Sequence, residues 1–466
     1  MNSKLVSLFC CLIMLVSFSG CTKVTQLVKD NQPTKAELLA EINEEHQRWE
    51  AAPAADPTPY LRHYDDPADA QKYFDYITDT YSEYDAEKEL TVEEAKEDVN
   101  YLFDAFYYDF AFYDYFGGHT VFDQTKAEIL QELQAKDNLT CKDLQEVLVK
   151  HLTFIKDGHF NINHNFPAEK EIPFFFRQVM FVKTDSGYQN SKGKTVVSVD
   201  GHPDLDTLFK RSISQEGYLV YYPVLLKEAK FDGTEWDKHV CDEQLTVHYA
   251  DGSTDVLTAD TWSQYYKDLP KGQNTDLRQT DGIPVFQFNS FEGSFLQEVN
   301  AAAAQMSDAA ISMLDLRSNI GGYEEVAHQW ITRYSRQRVQ GNGVRYDVVN
   351  PVSVAIQAHR WQTHDNILIL LSGKCSASSA EITMDLAYNL ENSLIIGENT
   401  NGCMIGNGGH VELPNSKCSV IMTSVCVYLL PEGADYFEEM RGLSPDIWVP
   451  AKEAETLAAK LMENLK

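Results

Sequence analysis

Between residues 283 and 397 the chain repeats one hydrophobic rhythm. Short apolar runs, "IPVFQFNSF", "AAISMLDLRS", "NILILLSG" and "SLIIGE", alternate with stretches at 294–306, 323–336 and 379–390 whose apolar residues recur every three or four positions. Brief apolar runs bounded by turn formers read as strands buried on both faces, and the longer period reads as helix. Their alternation predicts an α/β core built on a parallel sheet. Residues 165–275 keep a different rhythm. "KTVVSVDGHPD" and "EQLTVHYADGSTDVLT" alternate with period two and turn at Asp-Gly, which predicts hairpins and a small inserted β subdomain. Residues 91–157 are helical: Thr91 and Glu94 form a capping box, and Leu144, Val147, Leu148, Leu152 and Ile155 make a stripe that stops at Asp157-Gly158. His151 falls inside that stripe and reads as a packed, hydrogen-bonded histidine. A second capping box, Thr34 with Glu37, opens a helix that "APAADPTPY" breaks.

The expected organisation is therefore a signal segment over 1–20, a tether with N-terminal helices over 21–90, a helical subdomain over 91–164, a β subdomain over 165–280 and an α/β core over 281–466. A chain of 466 residues is long enough for several such units. A hydrophobic content of 43% and a charged content of 23% are those of an ordinary globular protein, but the formal charge of −31 is not. That charge argues against a nucleic-acid partner, because neutralising phosphates takes dense basic patches. At the N-terminus, Lys4 precedes a short apolar run that closes on Ser19-Gly20-Cys21, a secretory signal too short to span a bilayer. A cysteine directly after small residues resembles a bacterial lipoprotein cleavage box, with Cys21 as the lipidated first mature residue. The expected location is the cell envelope, anchored to the membrane by lipid, on its periplasmic or outer face. The six cysteines beyond Cys21 show no zinc spacing, and no phosphate loop occurs, so no metal or cofactor is called for.

Three stretches carry candidate chemistry. In "KCSASSAEI" a strand over 366–372 delivers the chain to a loop and then to a helix, so Ser376, Ser378 or Ser379 sits where a helix begins. Free N–H groups and the positive end of the macrodipole there stabilise an alkoxide or an oxyanion, although capping the helix is the other use of such a serine. In "LDLRSNIGGYEE" a strand turns through Gly321-Gly322 into a helix, and successive glycines let backbone donors approach a ligand. In "FIKDGHFNINH", His159 follows the end of a helix at an element boundary, where a general base for serine could stand.

Together and in this order, the segments "DGH" (157–159), "DLRSNIGG" (315–322), "SASSAEI" (376–382) and "EEMRGLSPDIWV" (438–449) resemble the tail-specific (C-terminal processing) and tricorn-like serine peptidases, over roughly residues 91–450. The resemblance implies a crotonase-like core. It implies Ser378 as nucleophile, with the backbone N–H of Ser379 and of Gly321 or Gly322 as oxyanion donors. It also implies Glu439 as the acid and, from the tricorn-like branch, His159 as the base. Two departures accompany it. The tail-specific branch uses a lysine in a Gly-Lys-Gly loop as base, whereas "GENTNGCMIGNGG" has Cys403 there, which excludes a Ser-Lys dyad. The tricorn-like branch often places serine before its histidine, where this chain has Gly158. Residues 195–205 are similar to a strand-turn of a PDZ-like module without its carboxylate-binding loop. The implied activity is serine endopeptidase on peptides or unfolded proteins. The alternatives are a catalytically silent binding protein on the same scaffold and an esterase-like hydrolase.

Overall fold

The computed structural model describes residues 24–50, 52–53, 55–230, 241–349 and 360–465. The signal segment and Cys21 lie outside these residues.

The four apolar runs form the centre of a six-stranded sheet. Its order is Thr275–Thr280, Ile283–Phe288, Ile311–Asp315, Ile367–Ser372, Ser393–Gly397 and Ile447–Trp448. The first pair is an antiparallel hairpin and every later pair is parallel. Successive side chains of a strand point to opposite faces, so the unbroken apolar runs serve two cores at once. Phe286, Leu314, Leu368, Leu370 and Ile395 face helices Leu296–Met306, Glu324–Ser335 and Ser379–Ala387. Val285, Met313, Ile367, Ile369, Leu371 and Ile396 face helix Ala451–Asn464 and the N-terminal helix Lys35–Gln47. Both predicted capping boxes are present, at Thr34–Glu37 and Thr91–Glu94.

A second sheet, not foreseen in the hydrophobic pattern, sets the other wall of the site. The long strand Ser419–Leu429 pairs with Gly406–Glu412, with Val344–Asp347 and with the short strand Asn161–Ile162. Helices Val92–Asp109, Gly118–Gln134 and Cys141–His151 pack on it and share one core with it, in which Phe106, Phe122, Leu148, Val420 and Met422 are buried. The helical segment is thus built onto strands drawn from the C-terminal half. His151 lies at the margin of this core, with Nε2 2.8 Å from Glu132. The predicted hairpin of the β subdomain is Gln244–Tyr249 with Thr254–Thr258, and Val196–Val199 pairs beside it around Leu245, Val247 and Trp262.

Candidate active site

The strand Ile367–Ser372 ends at a turn of three serines with three different fates. The Ser376 hydroxyl is buried; it donates to Leu316 O at 2.8 Å and accepts from the Gly373 N–H at 3.1 Å. The Ser379 hydroxyl donates to Gly322 O at 2.6 Å, so it is neither free nor a helix cap. Ser378 is half-buried, and its backbone stands at φ 54°, ψ −117°, in a region that non-glycine residues rarely occupy. It immediately precedes helix Ser379–Ala387 and lines a cleft of about 1140 Å³ that also holds Gly158, His159, Gly322, Ser379 and Cys403.

The helix start is capped through Glu381. Its buried carboxylate accepts from the N–H groups of Ser378 (2.9 Å), Gly402 (2.7 Å) and Cys403 (3.0 Å), and from the Thr400 hydroxyl. One side chain therefore joins the nucleophile turn to the 400–403 loop. The sequence pattern marks Glu381 only as a register point; its bonding partners some twenty residues away are invisible there.

The glycine turn lies directly against Ser378. A Cβ on Gly321 (φ 92°) would stand 2.8 Å from Ser378 Cβ, and one on Gly322 (φ 128°) would stand 2.6 Å from Phe291 O. Only glycine fits either place. Three bonds tie this turn to the serine turn: Ser376 Oγ to Leu316 O, Ala377 N–H to Asn319 O at 2.9 Å, and Ser379 Oγ to Gly322 O. The two glycines differ in one decisive respect. The Gly321 N–H is committed to Asn319 Oδ1 at 2.7 Å. Among the described residues no hydrogen bond engages the N–H of Gly322 or of Ser379.

His159 enters from the second sheet. Asp157 fixes its loop by accepting from the Thr423 N–H and hydroxyl, each at 2.9 Å, and from the His159 N–H at 3.0 Å. The imidazole Nδ1 is buried, without a hydrogen bond, 4.0 Å from Asp157 Oδ1. Burial holds the imidazole below the usual histidine range, against the opposing pull of Asp157. Glu439 addresses the loop rather than the ring. It accepts from the Gly158 N–H at 2.8 Å and from the Ile405 N–H at 3.3 Å, and burial raises its carboxyl well above the usual range. Among the described residues no hydrogen bond joins Ser378 Oγ to His159, or the imidazole to Glu439.

Two buried lysines complete the surroundings and were missed in the sequence. Lys170 donates to Gly158 O at 2.9 Å and to Asn401 Oδ1, so the Gly158 peptide is held on both sides, by Glu439 and by Lys170. Lys374 donates to Thr400 O at 2.8 Å and Arg441 O at 3.0 Å, and burial, aided by Lys170, lowers its ammonium to about 7. The Cys403 thiol accepts from the Ser378 N–H at 3.2 Å. Burial, with Glu381 next in effect, keeps it well above the usual thiol range.

A serine on a strained turn at a helix start, with free backbone donors and a histidine in the same cleft, is an arrangement that serine hydrolases use. Residues 282–449, just over a third of the chain, match the model of peptidase family S41, a match that supports a serine-type peptidase. Among solved structures it is similar to mature CPAF complexed with lactacystin, at 13% identity over 80% of this chain and 97% of that one, with a TM-score of 0.43. The photosystem II D1 C-terminal processing protease is 15% identical over 80% and 97% of the two chains (TM-score 0.37). A lipoprotein from Streptococcus agalactiae is 10% identical over 83% and 100% (TM-score 0.38). Likenesses at this level carry nothing about substrate or mechanism. No curated protein matches the sequence.

Proposed function

We propose that the chain is an exported, lipid-anchored serine endopeptidase that cleaves peptides or unfolded proteins without metal or cofactor. Ser378 Oγ attacks the scissile carbonyl. His159, kept neutral by burial, takes the hydroxyl proton and returns it to the leaving amine. The N–H groups of Gly322 and Ser379 receive the oxyanion, because the Gly321 N–H is already used by Asn319. Glu439 supports the base by fixing the peptide that carries it, and Asp157 is the carboxylate nearest the ring. Cys21 anchors the mature chain to the envelope membrane. A crotonase-like core, with a degenerate PDZ-like module in the β subdomain, is the fold reading that accompanies this assignment.

The observation that carries the proposal is the convergence, in one cleft, of a strained serine at a helix start and two unengaged N–H donors. Covalent labelling by a fluorophosphonate probe, lost in Ser378→Ala, tests it. Digestion of casein then separates a peptidase from an esterase. A second reading, a silent peptide- or ligand-binding protein, is favoured by the missing hydrogen bond between Ser378 and His159. Catalytic hydrogen bonds often close only when substrate is bound, and absence of labelling in the folded wild-type chain would select this second reading.

A further inference from the structure

Nine large hydrophobic side chains stand exposed among the described residues, and the four most exposed all line the Ser378 cleft: Tyr323 at 72%, Tyr81 at 68%, Ile320 at 65% and Tyr266 at 61%. Single exposed apolar residues are ordinary, but a cluster around a cleft marks a binding surface. The placement of two of them is specific. Ile320 and Tyr323 are the residues on either side of Gly321-Gly322, so the proposed oxyanion donor lies between two bare apolar side chains. The glycines have no room for side chains, whereas their neighbours project into open space. The charged side chains lining the cleft are Glu324 and Arg345, and these pair with each other; Glu324 also meets His328 at 3.1 Å. The cleft thus offers a substrate apolar area and backbone donors, with its one carboxylate and one guanidinium already matched.

We infer that this rim selects extended polypeptide segments bearing large apolar or aromatic side chains within two residues of the scissile bond, the kind of segment that an unfolded protein exposes and a folded one buries. The inference rests on the peptidase reading and names its substrate class. A substrate carbonyl on the Gly322 N–H brings its flanking side chains onto Ile320 and Tyr323, with Tyr266 and Tyr81 lining the same cleft. Covering one such side chain is worth roughly ten- to a hundredfold in kcat/KM.

The test is digestion of a mixed peptide library by the full chain, with cleavage sites read by mass spectrometry. It is followed by kcat/KM on the best peptide and on its analogue with serine at the apolar positions. Large apolar residues should be enriched beside the cut bond, and the apolar peptide should be preferred at least tenfold. In Ile320→Ser and Tyr323→Ser that ratio should fall about tenfold; being a ratio, it cancels any general loss of activity. Cleavage without apolar enrichment, or the same ratio in all three proteins, overturns the inference and leaves the peptidase reading standing. Fluorophosphonate labelling of a chain that cleaves no peptide overturns the peptidase reading and this inference with it.

Discussion

Gly158→Ser would restore the serine that tricorn-like relatives often carry before their histidine, so analogy predicts a neutral or improved enzyme. The structure predicts the reverse. A Cβ at residue 158 would stand 1.9 Å from Gly402 O and 2.6 Å from both Cα and Cβ of Cys403. Reaching even a close C···O contact of roughly 3.3 Å needs a shift of about 1.4 Å. Neither side yields easily. The Gly158 peptide is fixed by Glu439 and Lys170, and the 402–403 backbone is fixed by Glu381. The displacement passes to His159, the next residue, and a misplacement of about 1 Å at a reacting group costs on the order of 10²-fold. Overpacking adds about 1–3 kcal/mol of lost stability. Fluorophosphonate labelling rate and casein turnover should therefore both fall at least about 100-fold in Gly158→Ser and equally in Gly158→Ala, since the Cβ is the cause. Gly293→Ala, where an added Cβ meets open space, is the control and should behave as wild type. Labelling of Gly158→Ala within threefold of wild type, roughly 0.7 kcal/mol on the barrier, would refute the reasoning.

Three further outcomes follow from the site and its surroundings. Ser378→Ala should abolish labelling while Ser376→Ala keeps it and loses about 1 kcal/mol of stability, because the Ser376 hydroxyl holds Leu316 O; the reverse pattern would move the nucleophile. Because burial lowers the imidazole of His159, the acid limb of kcat/KM should lie below the ordinary histidine value of 6.5, and a limb at or above 6.5 would show a solvated base. Glu398 is buried and raised from 4.5 to about 7, so between those values the folded chain holds a proton that the unfolded chain releases. Stability should fall as pH rises through that window, by up to about 3 kcal/mol (2.5 units at 1.36 each), and Tm measured from pH 5 to 8 should show a flatter profile in Glu398→Gln.

The central sheet was legible because each of its buried strands is a local apolar run, and because Thr34 and Thr91 announce their helices within four residues. The second sheet was not. Gly406–Glu412 is polar and glycine-rich at its start, and the strand Ser419–Leu429 finds partners as distant as Asn161. Within the site, the serine turn, the glycine turn and the histidine were each visible as clusters of unusual residue types. The choice between Gly321 and Gly322 was not, since it turns on where the Asn319 amide oxygen points. The bond of Lys170 to Asn401 was also beyond reach, because it joins residues 231 positions apart and Lys170 stands in no motif. Glu439 was found through a motif, yet its partners are the backbone N–H groups of Gly158 and Ile405 rather than the imidazole, a distinction that no pattern encodes.

Cys403 is where resemblance and structure diverge most, and it gives the sharpest test of which base operates. The thiol is 4% exposed, and burial with the negative charge of Glu381 pushes it above the usual thiol range, which disfavours the thiolate that a nucleophile or base would need. In Cys403→Ala the Ser378 N–H loses one acceptor but keeps Glu381 at 2.9 Å, and turnover should stay within about threefold of wild type. His159→Ala, which removes the proton acceptor, should cost about 10⁴-fold or more. Cys403→Lys should not recreate a Ser-Lys dyad. The new ammonium would join Lys170 and Lys374 in the same buried region, where Lys374 is already lowered to about 7. Loss of soluble protein, or soluble protein that does not label, is the expected result. The double variant His159→Ala/Cys403→Lys decides between the two chemistries: if it labels and turns over substrate where His159→Ala does not, lysine can serve this serine, and the expectation that Cys403→Lys forms no dyad fails; if His159→Ala alone keeps wild-type turnover, the assignment of His159 as the base fails.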